Sequence, residues 1–303
     1  MSQIWVISEN SAALVELIAH AKGLAQGEMI VGWGLSSEAA QAAAMHGADQ
    51  VFELSQGQRP EAFVNLIIDQ AQAEKPVAIL WGASKRAKEM AARVAAVLDT
   101  GLINECFGLK RTGEEFTGKR YIYGGLCVAT EVSTSQPFMA SMAAKTVEIL
   151  PESPAVSIET ISVGEDDAQV IELRPNQITS NLGDANVVVC VGRGIMKRED
   201  IELARRLAKK LGGEVGCTRP VAEDLHWMPE ENYVGISGQV VKPQVYIGIG
   251  VSGQIQHISG IRDSKTIIAI EKNENAPILE AADYTLVGDL YEILPNLLNA
   301  LGA

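Results

Sequence analysis

The stretch GISGQVVKPQVYIGIGVSGQIQH, Gly235–His257, says nearly the same thing twice. GISGQ at Gly235–Gln239 returns as GVSGQ at Gly250–Gln254, and between them Val245–Gly250 is a short apolar run. A continuous apolar run of this length reads as a strand covered on both faces. The second turn is followed by Gln256 and His257. A strand that opens into a glycine turn and then into polar side chains is the unit from which open parallel sheets build ligand sites, outside the carboxyl ends of their strands.

Working outward, the same unit recurs. NVVVCVGRG places a strand at Asn186–Val191 ahead of a glycine turn, and Arg198–Leu211 has helical periodicity. Glu214–Cys217, Thr266–Ile270 and Tyr284–Val287 are further strands, and Asp289–Leu301 is a closing helix. The residues just after these strands would share one rim of one sheet. They are Gly192-Arg193-Gly194, Thr218-Arg219-Pro220, Val251-Ser252-Gly253 with Gln256 and His257, Glu271-Lys272-Asn273, and Gly288-Asp289.

Toward the N-terminus the chain alternates again. Strands are expected at Ile4–Ser8, Met29–Trp33, Val51–Leu54 and Val77–Gly82, and helices at Ser11–Leu24, Glu38–His46, Pro60–Ala73 and Ser84–Leu98, with Ser36 or Ser37 as a cap. After Gly101 the rhythm changes to Ile103–Lys110, Lys119–Ile122, Leu126–Thr130, Pro137–Ser141 and Ala155–Ile161, strands without intervening helices that would add antiparallel edges. The polar, aperiodic segment Leu173–Ala185 carries Pro and Gly and marks a domain boundary. The expected class is α/β in two domains: a mixed-sheet N-terminal domain over 1–183, and a parallel-sheet, Rossmann-like domain over 184–303.

Bulk properties fit this division. A chain of 303 residues is long for one core, and only 5% aromatic content suits helices packed closely on sheets. The net charge of −13 disfavours nucleic acid and anionic membrane surfaces as partners. Lys197-Arg198 and Lys209-Lys210 read as solvated helix faces, and Glu165-Asp166-Asp167 and Glu230-Glu231 as solvated loops. Cys106, Cys127, Cys190 and Cys217 form no CxxC pair and read as buried, reduced thiols. The N-terminus lacks the pattern of a signal peptide. No uncharged apolar run approaches the ~18 residues of a spanning helix. A cytoplasmic protein without stable membrane insertion is expected.

The rim offers glycines whose backbone N–H groups can approach a ligand, hydroxyls from Thr218, Ser237 and Ser252, two arginines and a histidine, the outline of a dinucleotide site. Each piece also has a plain reading. The glycine runs can be turns, Arg219 a surface arginine, His257 a core histidine bonded to backbone, and Asp289 a helix N-terminal carboxylate. No metal-ligand spacing, nucleophile elbow or phosphate-binding loop of the P-loop type is present. The rim offers binding rather than a reaction apparatus.

VGRG (Val191–Gly194), CTRP (Cys217–Pro220), YVGISG (Tyr233–Gly238), GVSGQIQH (Gly250–His257), IEKNENAPILEAADY (Ile270–Tyr284) and VGDLYEILP (Val287–Pro295) occur in this order. Together they resemble the C-terminal FAD-binding domain of the electron-transfer flavoprotein α-subunit. YGGLCVAT (Tyr123–Thr130) resembles the first half of the same family. The resemblance implies bound FAD, a β-subunit partner, and electron shuttling between an acyl-CoA dehydrogenase or other redox donor and an acceptor, by an electron carrier rather than a stand-alone enzyme. It implies that Arg193 and Thr218 contact the FAD phosphates and sugar and that Arg219 lies over the isoalloxazine. Val234, Gly235, Ile236 and Ser237 would line the ring, with the Ser237 hydroxyl near N5. Ser252, Gly253, Gln254, Ile255, Gln256 and His257 would wrap the ribityl and pyrophosphate, with His257 near O2. Glu271 would stand near the nucleotide, and Asp289 and Leu290 at the adenosine end. Cationic Arg219 and a donor His257 would stabilise the negative charge that an electron brings to N1 and O2.

The chain departs from the commoner family pattern at Ile236-Ser237, where many members carry Gln-Thr, and at Glu271-Lys272-Asn273, where many carry Asn-Lys-Asp. YVGISG and the NAPI-containing segment resemble the bacterial branch associated with nitrogen fixation and with carnitine or anaerobic acyl-CoA metabolism. Two other uses of the same rim are a nicotinamide-dependent oxidoreductase subunit, for which only His257 offers an acid or base, and a nucleotide-binding sensor without redox function.

Overall fold

A computed structural model describes residues 2–54, 59–144, 146–163, 168, 170–172 and 181–302. The chain divides into two compact units, one of Met1–Ile122 with Leu126–Leu173, the other of Arg174–Ala303 with Tyr123–Gly125. The acidic run Glu165-Asp166-Asp167 and residues 173–180 of the polar boundary segment lie outside the described residues.

In the first unit β1 (Gln3–Ser8), α1 (Ser11–Leu24), β2 (Met29–Gly34), α2 (Ser37–Met45), β3 (Gln50–Leu54), α3 (Val64–Glu74), β4 (Ala78–Trp81) and α4 (Lys85–Val97) alternate as expected. Then follow β5 (Leu102–Thr112), β6 (Glu115–Ile122), β7 (Cys127–Ser133), β8 (Phe138–Met142) and β9 (Ile158–Ile161). The nine strands lie in the order β7-β6-β5-β8-β4-β1-β2-β3-β9. Leu14, Leu17, Ala39 and Ala43 of α1 and α2 fill one face. Ile67, Met90 and Val94 of α3 and α4 fill the other, around Trp5, Trp33 and Trp81.

The strands after Gly101 are only partly the antiparallel edge expected of them. β5, β6 and β7 pair antiparallel. β8, however, runs parallel between β4 and β5, and β9 parallel beside β3. The reason for β8 is legible in its composition: all five residues of FMASM are buried, so it needs cover on both faces. Cys127 corrects another expectation. It is exposed on the edge strand β7, while Cys106, Cys190 and Cys217 are buried.

The second unit holds β10 (Val187–Val191), α5 (Ile201–Leu211), β11 (Glu214–Cys217), β12 (Val245–Ile249), α6 (Ile255–Ile261), β13 (Ile267–Glu271), α7 (Pro277–Ala281), β14 (Tyr284–Val287) and α8 (Leu290–Ala300). α5 forms because Ile201, Ala204, Leu207 and Ala208 share one buried face. It ends where Gly212 adopts φ 66°, with Lys209 and Lys210 in its last turn. The sheet is wholly parallel in the order β11-β10-β12-β13-β14. α5 and α8 cover one face through Leu207, Leu294 and Leu298. α6, α7 and the segment Val234–Val241 cover the other, through Val234, Val241, Ile261 and Ile278. The short helices α6 and α7 were not expected from the sequence, which offers too few residues there for a periodic signal. No helix among the described residues is long and apolar enough to cross a membrane.

Candidate functional site

In the second sheet the chain leaves β10 toward β11 on one side and returns to β12 on the other. The strand order therefore reverses between β10 and β12, and a crevice opens beyond their carboxyl ends. Glycines set its floor. A Cβ on Gly192 would lie 2.1 Å from the Gly250 oxygen, and one on Gly194 would lie 2.6 Å from the Gly250 Cα. Gly250 itself has φ 60°, a left-handed conformation that glycine adopts without strain. Backbone bonds from Gly192 N to Ile249 O (2.9 Å) and from Gly194 N to Gly250 O (3.0 Å) hold the two loops together. Side chains are excluded here, so backbone forms the surface.

The repeated glycine-serine turns are joined to each other. The Ile236 N–H donates to the Gln256 carbonyl at 2.8 Å, and the Val241 N–H to the Gly260 carbonyl at 2.8 Å. A Cβ on Gly260 would meet the Gly235 Cα at 2.6 Å, so the first turn lies directly on α6, which the second turn opens. Gly253, at φ 80°, lies so close to α7 that a Cβ would meet the Ile278 nitrogen at 2.2 Å. The α6 N-terminus has no side-chain cap, and its first N–H groups are left for another acceptor.

Around this floor is a cavity of about 440 Å³, within the usual size range of small-molecule sites. Of the residues singled out from the sequence, it brings together Arg193, Thr218, Arg219, Ser237, Ser252, Gly253, Gln254, Gln256, His257 and Glu271. It does not bring in six others. Val234 is fully buried in the core beneath α6, and Gly235 is buried against it. Ile236 and Ile255 are exposed side chains off the cavity wall. Leu290 is a core residue under α8. Asp289 caps α8, its Oδ1 accepting from the Tyr291 N–H at 2.8 Å. Tyr233 is a wall residue to which no role fell from the sequence; its hydroxyl is 3.1 Å from the Ser237 Oγ. The motif YVGISG contains it, and the isolated bridge Cys217–Tyr233 that brings it beside the β11 end is not visible in sequence.

Charge in the wall comes from Arg193, Arg219 and Glu271. The Arg219 Nε is 2.6 Å from the Glu223 Oε2. That carboxylate, by hydrogen bond and by charge, holds the Arg219 guanidinium even more firmly protonated than usual. Glu223 is a second residue the sequence did not single out, although its four-residue spacing from Arg219 is that of neighbours on a helical turn, here the π turn Pro220–Asp224. Glu271 accepts from the Asn273 N–H at 3.0 Å through its Oε1.

His257 is 6% exposed at the back of the wall. Its Nδ1 is 2.9 Å from the Val234 carbonyl oxygen and its Nε2 is 2.6 Å from the Tyr246 hydroxyl. Burial lowers its pKa to about 4, against the opposing pull of the Val234 bond, so the ring is neutral at pH 7. Since a carbonyl only accepts, the single N–H of the neutral ring is on Nδ1 and is given to Val234. The plain reading, a core histidine bonded to backbone, describes these bonds. Among the described residues no group of His, Cys, Asp and Glu could hold a metal ion.

Comparison with known proteins identifies this architecture. The sequence pattern of the electron transfer flavoprotein domain matches residues 4–168. That of the electron transfer flavoprotein FAD-binding domain matches residues 181–262. A putative electron transfer flavoprotein subunit, YdiR, of Escherichia coli strain K12 is 33% identical, over 99% of this chain and 98% of its own length. Protein FixB of Escherichia coli O127:H6 is 35% identical over the same shares. The glycine floor fits a dinucleotide, and the second domain is an FAD-binding domain by its match. The chain belongs to the electron transfer flavoprotein family as an α-subunit-type, FAD-binding member.

Proposed function

We propose that the cavity beyond β10 and β12 is where this chain holds FAD, and that the chain works as the α-subunit of a heterodimer with an electron-transfer flavoprotein β-subunit. In that pair it passes electrons from a dehydrogenase, such as an acyl-CoA dehydrogenase, to a redox partner. The observation that carries the reading is the glycine floor at the strand-order reversal: Gly192, Gly194 and Gly250 leave room only for backbone, beside an uncapped helix start. The N–H groups at that helix start suit a pyrophosphate, and the side-chain-free floor lets it approach them. Arg193 and Thr218 would hold the phosphates and sugar, Ser252–Gln256 the ribityl chain and pyrophosphate. Arg219 and Ser237 would meet the ring, with His257 and Tyr233 behind it. Asp289 keeps one carboxylate oxygen outside its capping bond, and with Leu290 it would mark the adenosine end. Val234–Ile236 would act through the turn they build, and Glu271 through its place in the wall. The domain division at residue 183 belongs to the same proposal.

FAD, when bound, supplies the redox chemistry. The chain's own residues bind it, orient it and set the charge around it. Arg219, protonated throughout, favours added negative charge nearby, and Glu223 moderates that effect. The test is to co-express the chain with a β-type subunit, record the visible spectrum, and weigh the cofactor released. A yellow complex releasing FAD is expected. A colourless complex, or one releasing a nicotinamide nucleotide, overturns the reading in favour of an oxidoreductase subunit.

A further inference from the structure

At the rim of the second sheet one hydroxyl joins three elements. Tyr291, in the first turn of α8, accepts from the Met196 N–H at 2.9 Å and gives its own hydrogen to Asp200 Oδ2 at 2.7 Å. The partners settle both directions, since an amide N–H only donates and a carboxylate only accepts. Met196 belongs to the loop after β10, and Asp200 closes the turn Arg198–Asp200 that leads into α5. The backbone N–H of the same tyrosine goes to Asp289 Oδ1 at 2.8 Å. Tyr291 thus holds the α8 cap with its main chain and the β10–α5 loop with its side chain.

That loop supplies Arg193 and Gly194 to the cavity wall. Its front is fixed by the bonds from Gly192 N to Ile249 O and from Gly194 N to Gly250 O. Beyond the buried Ile195, the Met196 side chain is 75% exposed, so apolar packing does little to hold this end. The Tyr291 ring rests partly buried on the core that α5 and α8 share, which makes its hydroxyl a fixed point. Burial first, then the Asp200 bond and charge, raise the Tyr291 pKa above the ordinary 10 against the pull of the Met196 bond, so the hydrogen stays in place at neutral pH.

We propose that Tyr291 is a positioning residue for the cofactor cavity: it clamps the loop bearing Arg193 to the start of α8, so that the two parts of the rim grip the nucleotide half of FAD as one piece. This rests on the reading of the cavity as the FAD site, with Arg193 at the phosphates and Asp289 at the adenosine end. Tyr291 is not among the residues that line the cavity, so it acts through the loop it holds. The clamp sets how long FAD stays. It leaves the charge around the flavin ring to Arg219 and Ser237, which stand on other segments.

The test begins with the wild-type chain in complex with a β-type subunit. Its Met196 amide is expected to exchange hydrogen with solvent well below the rate of an unbonded amide. An unprotected Met196 amide overturns the proposal, and this measurement does not depend on which cofactor the cavity holds. Tyr291→Phe then keeps the ring and removes the hydroxyl. It is expected to lose the protection at Met196 and to release FAD about three- to tenfold faster, the effect of one hydrogen bond. The one-electron reduction potential of the bound flavin is expected to stay at its wild-type value. An unchanged release rate overturns the role of Tyr291. A shifted potential also overturns it, because a general loosening of the cavity, unlike a clamp on the nucleotide end, reaches the ring. Release of a different cofactor from wild-type protein strikes the FAD reading alone and leaves the Met196 result standing.

Discussion

The two sheets treat the carboxyl ends of most of their strands differently, α3 after β3 being the first unit's uncapped exception. In the first, the helices that follow β1, β2 and β4 are each capped by a side chain of the chain itself. Asn10 accepts from Ala13 N–H at 2.9 Å, Ser36 from Ala39 N–H at 3.2 Å, and Ser84 from Ala87 N–H at 3.0 Å. Strand ends close onto their own units: a Cβ on Gly34 would meet the Ala40 nitrogen at 2.5 Å, and one on Gly82 the Ser8 Oγ at 2.8 Å. In the second sheet α5, α6 and α7 have no side-chain cap, and only α8 does. There the glycines pack loop against loop, their own N–H groups given to neighbouring carbonyls, and the α6 start carries no side-chain cap. Three of the four α-helix starts in the first unit are capped by a side chain, against one of four in the second.

The sharpest way to break this contrast is to put a side chain into the floor. Gly250→Val places a Cβ 2.7 Å from the Gly194 Cα at a left-handed backbone position. It should cost about 3 kcal/mol in denaturant unfolding and abolish FAD retention; retention of FAD at wild-type affinity would refute the backbone floor. Acid comes next. His257 titrates at about 4 in the fold against 6.5 when unfolded, so its contribution is intact above pH 6.5 and is lost as pH falls toward 4. The loss is up to about 3 kcal/mol. His20 in the first domain, also lowered by burial, acts in the same direction. Stability followed from pH 7 to 4 should fall less steeply in His257→Gln; an unchanged slope would mean another group titrates there.

Caps offer a smaller, two-sided test. Ser36→Ala or Ser84→Ala should cost about 1 kcal/mol and leave FAD content untouched. Gln254→Asp, which supplies α6 with a cap, should stabilise the FAD-free chain by up to about 1 kcal/mol while weakening FAD binding. Equal effects on both edges would erase the distinction. Smallest in stability are changes to the exposed Arg219–Glu223 pair, which should leave the melting temperature unchanged. They should move the flavin's one-electron potential in opposite directions, down in Arg219→Ala and up in Glu223→Gln. Shifts of the same sign would show that Glu223 does not act through Arg219.

What the sequence displayed was the rim. Alternation of strand and helix says which residues follow which strand, and a parallel sheet puts them at one edge. That logic reached Arg193, Thr218, Arg219 and Ser252–Gly253 without knowledge of any long-range contact. It failed where the answer lay in pairing across the chain. Tyr233 reaches the wall through a bridge to Cys217, and the two glycine-serine turns meet through Ile236 and Gln256. β8 slips in between β4 and β5, which local periodicity cannot announce. Leu290 shares the buried face of α8 with Leu294 and Leu298, a packing role that its place in a motif does not display.

The glycine floor has a consequence for how such a protein can diverge. In the proposed reading its grip on a ligand comes from main-chain atoms, which look the same whatever side chains surround them. The charged groups, Arg193, Arg219 and Glu271, stand on the wall, with Glu223 paired to Arg219, apart from the glycine contacts of the floor. Holding and tuning are therefore written in separate parts of the chain. A lineage can explore new electrical settings by surface substitutions one at a time, while the cradle is inherited unaltered.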